Sequence, residues 1–174
     1  MRIKLVLSIE LHPIGPVKQL QMRSLENIFE SLVGAWSLDR TIIHIELDQI
    51  DTAKGIAVFL KGTPTHPDTL FYEENGQLTL DKAAKAINFK RKYIYKMRAE
   101  SIDIILNDGV TKGTLFQTLT PQQGNVELTG SEHLCRLDKH SGKHFFQNEH
   151  NFETEYTVLG PNTNLFIKTC YQRS

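Results

Sequence analysis

A histidine, a cysteine and an aspartate lie close together in the C-terminal half of the sequence, as His133-x-Cys135-x-x-Asp138. On a β-strand His133 and Cys135 point to the same face, because successive side chains alternate. A thiolate beside an imidazole is the arrangement of a cysteine nucleophile. The three residues are therefore candidate catalytic residues. Neighbours on one strand face are also common without any catalytic use, and a cysteine packed in a core is usually inert.

Polar residues at alternating positions indicate a second kind of site, inside a β-structure. Arg40 shares a strand face with Trp36, the only tryptophan of the sequence. An inward-facing arginine is costly unless an anion or a hydrogen-bond acceptor meets it. The residues predicted to bind a ligand in such an interior are Arg40, Tyr72, Glu74, Arg91, Tyr93 and His133.

The same residues also have a structural interpretation. A buried arginine and a buried glutamate satisfy each other when they pair, and tyrosine hydroxyls often bond to neighbouring strands. For Arg40 and Glu74 the sequence leaves ligand binding and a structural ion pair as open alternatives.

An amphipathic helix precedes the segments that carry these residues. Its apolar positions follow the spacing of one helical face, and they are Leu25, Ile28, Phe29, Leu32 and Val33. Ser24 is a suitable N-cap, and Gly34 is a suitable residue just beyond the C-terminus. The pattern predicts a helix over residues 24–33.

After Gly34 the chain alternates apolar and polar residues, which is typical of strands. The predicted strands cover roughly residues 35–47, 53–61, 68–75, 77–81, 88–98, 101–107, 113–120, 126–137, 143–149, 153–160 and 164–173. Turn sequences separate them, among them Glu74-Asn75-Gly76 and Ser141-Gly142. About ten antiparallel strands after one N-terminal α-helix favour a closed or nearly closed β-barrel, because closure removes exposed sheet edges. Trp36 is expected to plug one end of this barrel.

The length of 174 residues predicts a single domain with a sizeable core. Within this domain, residues 1–23 are predicted to form an N-terminal arm. Residues 24–33 form the predicted helix, and residues 35–173 form the predicted barrel.

The pair Gly34-x-Trp36 after a helix, with Arg173 on the last strand, resembles the calycin pattern of lipocalins and fatty-acid-binding proteins. The resemblance implies that Gly34, Trp36 and Arg173 close one end of the barrel, with the guanidinium packed on the indole in a cation–π contact of about 0.5–2 kcal/mol. A longer series of segments is similar to a calycin-like domain of unknown function found in small bacterial and fungal proteins. These segments include Gly34-Ala35-Trp36-Ser37-Leu38-Asp39-Arg40, Tyr72-Glu73-Glu74-Asn75-Gly76, Arg91-Lys92-Tyr93-Ile94-Tyr95, His133-Leu134-Cys135-Arg136-Leu137-Asp138 and Tyr171-Gln172-Arg173. The resemblance implies a calycin-like β-barrel and no established activity.

The overall charge narrows the classes of partner, because 20 basic residues are balanced by 20 acidic ones. No strong field draws the protein to nucleic acid or to an anionic membrane, and no apolar run is long enough to cross a bilayer. The two cysteines lack the paired spacing of a disulfide framework or a zinc site. His140 and His144 flank a predicted glycine turn and are interpreted as solvated loop residues. We therefore expect a cytoplasmic protein with no metal, no cofactor, no nucleic-acid partner and no membrane partner.

These observations predict that the barrel binds a small, partly polar or anionic molecule in its interior. One alternative is an enzyme that uses His133, Cys135 and Asp138 on a small substrate. Another alternative is a protein-interaction module whose barrel is filled with side chains. An interior cavity would favour ligand binding over the interaction module, whose barrel has none.

Overall fold

The structure is a computed structural model that describes residues 24–83, 86–122 and 126–174. These residues form one α-helix and eleven β-strands. The elements are α1 (Leu25–Leu32), β1 (Gly34–His44), β2 (Gln49–Lys61), β3 (Thr69–Thr79), β4 (Ala86–Met97), β5 (Ile102–Leu106), β6 (Leu115–Pro121), β7 (Glu127–Gly130), β8 (His133–Cys135), β9 (Asp138–Phe146), β10 (Asn151–Gly160) and β11 (Thr163–Arg173). The predicted N-terminal arm lies outside the described residues.

The strands close into an antiparallel barrel. Each strand from β1 to β6 pairs with the next one, β7 pairs with β9, and the ring continues through β10 and β11 back to β1. Strand β10 pairs with one edge of β9, and the short strands β7 and β8 both pair with the other edge. Strands β7 and β8 therefore occupy the same position in the ring, one after the other. The barrel therefore has ten positions around its ring. This confirms the predicted mainly β fold, an antiparallel barrel of about ten strands with one N-terminal helix.

Helix α1 covers one end of the barrel. The Oγ atom of Ser24 accepts a hydrogen bond from the backbone N–H of Asn27 at 3.2 Å, so Ser24 is the N-cap, as predicted. The buried face of the helix packs on apolar side chains from the adjoining strand ends. These are Trp36, Phe59, Leu70, Ile102, Leu119, Leu128, Phe146 and Phe152. Helix α1 has eight residues, and the described part of the chain contains no helix long and apolar enough to cross a membrane.

Two of the predicted turns are wrong, because their glycines lie inside strands. Gly76 lies within β3 and pairs with Gly55 of β2, and a Cβ on Gly55 would stand only 2.9 Å from the Cα of Gly76. Gly142 lies within β9 opposite Tyr156, and a Cβ there would stand 2.4 Å from the tyrosine ring. Both glycines therefore serve close approach within the sheet rather than chain reversal.

Candidate functional site

The barrel encloses a cavity of about 310 Å³. Its lining comes from inward-facing side chains of β1, β3, β4, β6, β9, β10 and β11. The lining residues are Arg40, Ile42, Tyr72, Glu74, Arg91, Tyr93, Tyr95, Phe116, His140, His144, Thr154, Tyr156, Val158, Ile167, Thr169 and Tyr171. The interior is therefore not filled with side chains, unlike the barrel of the interaction-module alternative.

Arg40 and Glu74 form the polar centre of this lining. The two Nη atoms of Arg40 donate to the two carboxylate oxygens of Glu74 at 3.1 and 2.8 Å, and its Nε donates to the hydroxyl of Thr169 at 2.9 Å. Strand β2 lies between the two partners and presents Ala53 and Ala57 inward, and these short side chains leave room for the contact. The side chain of Glu74 is only 4% exposed, so this is a largely buried ion pair.

Tyrosine hydroxyls extend the pair into a network. Tyr72 donates to Glu74 at 2.5 Å, and the hydroxyl of Tyr171 lies 3.2 Å from that of Tyr72. Burial raises the pKa of Tyr72 and of Tyr171, and the negative charge of Glu74 adds to the rise. Both phenols are therefore neutral at physiological pH and act as hydrogen-bonding groups.

His144 is buried, so its interpretation as a solvated loop histidine is wrong. It lies in β9, is 3% exposed and shares a hydrogen bond of 2.9 Å with the hydroxyl of Tyr156. Burial lowers the pKa of His144 from 6.5 to about 3, so the imidazole is neutral. His140 lies on the same strand face. Its pKa is also lowered, mainly by burial and to a smaller extent by the nearby His133. Neither histidine adds a positive charge to the cavity at neutral pH.

The buried His144 makes the stability of the protein dependent on acid. The unfolded chain takes up a proton at this residue below pH 6.5, whereas the folded chain resists protonation down to about pH 3. The contribution of His144 to the free energy of unfolding is therefore fully present above pH 6.5 and is lost as the pH falls. At about 1.4 kcal/mol per unit, acidification to pH 4 removes about 3 kcal/mol through this residue.

We expect His144→Gln to remove this contribution. The free energy of unfolding, measured by urea titration from pH 7 to pH 4, should fall less steeply in the variant than in the wild type. The other titrating groups are the same in both proteins, so the difference between the two slopes belongs to His144. Parallel pH profiles would contradict the expectation.

Arg91 is the second arginine of the cavity, and its surroundings differ from those of Arg40. Arg91 lies directly opposite Glu74 in the β3–β4 pair, so both side chains face the cavity. Because Arg91 is exposed, it lies at the mouth of the cavity. Within residues 24–83, 86–122 and 126–174, no carboxylate lies within ion-pair distance of its guanidinium. Glu74 compensates Arg40, so Arg91 leaves the cavity with one uncompensated positive charge.

The candidate catalytic residues do not converge. Cys135 is exposed, the ring of His133 packs 5.0 Å from that of Phe116, and a carboxylate oxygen of Asp138 accepts a hydrogen bond from Thr163 at 3.4 Å. Cys135 and Asp138 are neighbours in the β8–β9 ladder, but no side-chain hydrogen bond joins the three residues to one another in the described part of the chain. Of the six residues predicted to bind a ligand, five line the cavity, and they are Arg40, Tyr72, Glu74, Arg91 and Tyr93. The sixth, His133, is not part of the lining. Catalysis by this group stays a prediction, and so does ligand binding by His133.

Several lining residues were not predicted from the sequence. Tyr171 lies two residues before Arg173 on the last strand, so strand alternation places both side chains on the same face and was a usable signal. Phe116 had no such signal, because the β5–β6 register shifts at this point: Ile104 pairs with Gln117, and Ile105 pairs with Leu115. This bulge turns both Phe116 and Gln117 inward. The described residues contain no group of three or more His, Cys, Asp or Glu side chains that could hold a metal ion.

Comparison with known proteins places the chain among barrels of this architecture. The S-type phycobiliprotein lyase CPES from Guillardia theta superposes with a TM-score of 0.65 at 11% identity, over 87% of this chain and 93% of that one. A protein with unknown function from the DUF3598 family of Nostoc punctiforme PCC 73102 superposes with a TM-score of 0.52 at 7% identity, over 83% of this chain and 48% of that one. A redesigned β-barrel, mFAP1, bound to DFHBI, has a TM-score of 0.44 at 14% identity, over 83% and 96% of the two chains. At these identities the first two likenesses show a shared fold.

The sequence comparisons give a family without an activity. A family model described as Family of unknown function (DUF6314) matches residues 32–173. No curated protein matches the chain.

Proposed function

The chain belongs to the DUF6314 family of unknown function, and we propose that it binds a small, partly polar or anionic molecule inside its barrel. The observation that carries the proposal is the cavity of about 310 Å³ with polar groups along its wall. Small-molecule sites in proteins have this size and this mixture of apolar lining with a few polar groups.

The predicted ligand-binding residues take two roles in this proposal. Arg91 and Tyr93 face the cavity without a protein partner for their polar groups in the described ranges, so they contact the ligand. Arg40, Glu74 and Tyr72 hold one another and form a polar wall. An arginine has more N–H donors than the three bonds that Arg40 makes, so Arg40 can still donate to a ligand in the cavity.

The fold supports the proposal. The phycobiliprotein lyase from Guillardia theta has a barrel of the same architecture, and barrels of this size leave room for one small ligand.

Native mass spectrometry of the purified protein tests the proposal directly. We expect a fraction of the protein to retain a small molecule, and we expect Ile167→Trp to remove it, because the larger side chain fills the cavity. Phe166→Trp is the matched control, since Phe166 precedes Ile167 on β11 and faces the outside of the barrel. Thermal melts of both variants establish that they fold.

Two results would count against binding in the cavity. One is a wild-type protein that carries no added mass and binds no member of a panel of small organic anions. The other is an added mass that Ile167→Trp leaves unchanged, which would place the molecule elsewhere on the protein.

A further inference from the structure

All five tyrosines of the sequence line the cavity. They come from the four strands β3, β4, β10 and β11, and they are Tyr72, Tyr93, Tyr95, Tyr156 and Tyr171. A barrel interior built only for stability needs no such concentration, because aliphatic side chains fill space without a hydroxyl that requires a partner. The cavity is therefore walled by aromatic faces and phenolic hydroxyls.

Three of the rings have similar orientations. The planes of Tyr93 and Phe116 differ by 30° with centroids 6.0 Å apart, and those of Phe116 and Tyr156 differ by 27° with centroids 6.1 Å apart. A flat ligand can lie against successive rings by offset stacking, and an aliphatic chain gains no such contact. Because the bulge turns Phe116 inward, this wall depends on an irregularity of the β6 strand.

Two phenols remain free to bond a ligand. The hydroxyls of Tyr72, Tyr156 and Tyr171 already have partners, whereas those of Tyr93 and Tyr95 have none in the described portion of the chain. Burial raises the pKa of Tyr93 to about 12 and that of Tyr95 well above its ordinary value. Both therefore carry a proton to donate at neutral pH.

The charge of the cavity sets the charge of its occupant. Glu74 compensates Arg40 through two hydrogen bonds, the buried His144 is neutral, and Arg91 is left without a counter-charge. An arginine fork matches a carboxylate or a similar planar anion in geometry. One negative charge on the ligand balances the cavity.

We propose that the ligand is a planar aromatic molecule with a single negative charge, its anionic group at Arg91 and its ring against the wall formed by Tyr93, Phe116 and Tyr156. This inference rests on the proposed function and specifies the class of ligand. A volume of about 310 Å³ suits a molecule of a few fused or linked rings. The anionic group lies at the mouth, where Arg91 is exposed, and the apolar part points inward.

Isothermal titration calorimetry with three matched probes tests the class of ligand. The probes are 2-naphthoate, its neutral analogue 2-naphthamide, and undecanoate, an aliphatic carboxylate with the same number of carbon atoms as 2-naphthoate. We expect 2-naphthoate to bind at least about tenfold more tightly than either of the others, because only it has both the ring and the charge.

Arg91→Gln tests the position of the charge. We expect the variant to bind 2-naphthoate at least about tenfold more weakly and 2-naphthamide nearly unchanged. Lys92→Gln is the matched control, because Lys92 is the next residue of β4, faces outward and pairs with Glu73 at 2.9 Å. It should bind both naphthalene probes like the wild type.

Each other outcome overturns a defined part of the proposal. Equal or tighter binding of undecanoate would refute the aromatic class and leave small-anion binding intact. Equal binding of 2-naphthamide would refute the negative charge. If no probe binds, the proposed ligand class is wrong, and the mass of the retained molecule decides separately whether the cavity binds anything. The comparison of probes uses the wild-type protein, so it does not depend on the folding of a variant.

Discussion

Replacing Trp36 with alanine is expected to lower the free energy of unfolding by about 3–5 kcal/mol. The indole is 2% exposed and packs edge to face against Phe152 with centroids 4.8 Å apart. Its N–H donates to the carbonyl of Leu32 at 2.8 Å, which ties the end of α1 to the start of β1. The guanidinium of Arg173 stacks 4.3 Å from the ring centre and donates to the carbonyl of Val33 at 2.9 Å. Truncation therefore leaves a cavity and frees a buried carbonyl and a cation together.

Urea titration followed by far-ultraviolet circular dichroism measures this loss, since the variant lacks the fluorescent indole. Phe71→Ala is the matched control, because Phe71 is an aromatic residue of the barrel whose side chain faces outward and is 43% exposed. We expect the control to cost less than about 1 kcal/mol. If the two substitutions cost the same, Trp36 does not close the barrel in the way that the structure indicates.

Replacing Arg40 with alanine is expected to cost about 3–5 kcal/mol, and adding Glu74→Gln is expected to recover most of that loss. The single substitution leaves the carboxylate of Glu74 buried, with Tyr72 as its remaining hydrogen-bond donor. The second substitution removes the stranded charge while keeping an amide of the same size. Recovery would show that the pair is structural, and it would leave Arg91 as the arginine that meets a ligand.

The same urea titrations decide between this outcome and the alternative that Arg40 is held for binding. If Arg40→Ala costs little stability, or if the double variant stays as unstable as the single one, the two residues are not a structural pair. Lys54→Ala is the matched control, since Lys54 of β2 pairs with Asp39 of β1 at 3.5 Å on the exposed outer face of the barrel. An exposed pair of this kind contributes little, so its loss should leave the unfolding transition nearly unchanged.

Local patterns in the sequence were enough to predict the architecture. The spacing of Leu25, Ile28 and Phe29 defines a helical face, and Ser24 caps the helix as its residue type suggests. Strand alternation places Trp36 and Arg40 on the inner face, because side-chain direction on a strand follows from residue parity alone. The same rule put Tyr72, Glu74, Arg91 and Tyr93 on inward faces, and all four line the cavity.

Tertiary structure alone decided which of these inward residues meet. Arg40 and Thr169 are 129 positions apart in the chain, and only closure of the barrel through the β1–β11 pair brings them into contact. The glycines were misleading. The pair Ser141-Gly142 is typical of turns, but in the structure Gly142 lies in a strand and leaves space for the ring of Tyr156. Parity itself fails at the β6 bulge, where one extra residue turns Phe116 into the cavity. Pairing partners, close approaches and bulges depend on residues distant in sequence, so local spacing does not encode them.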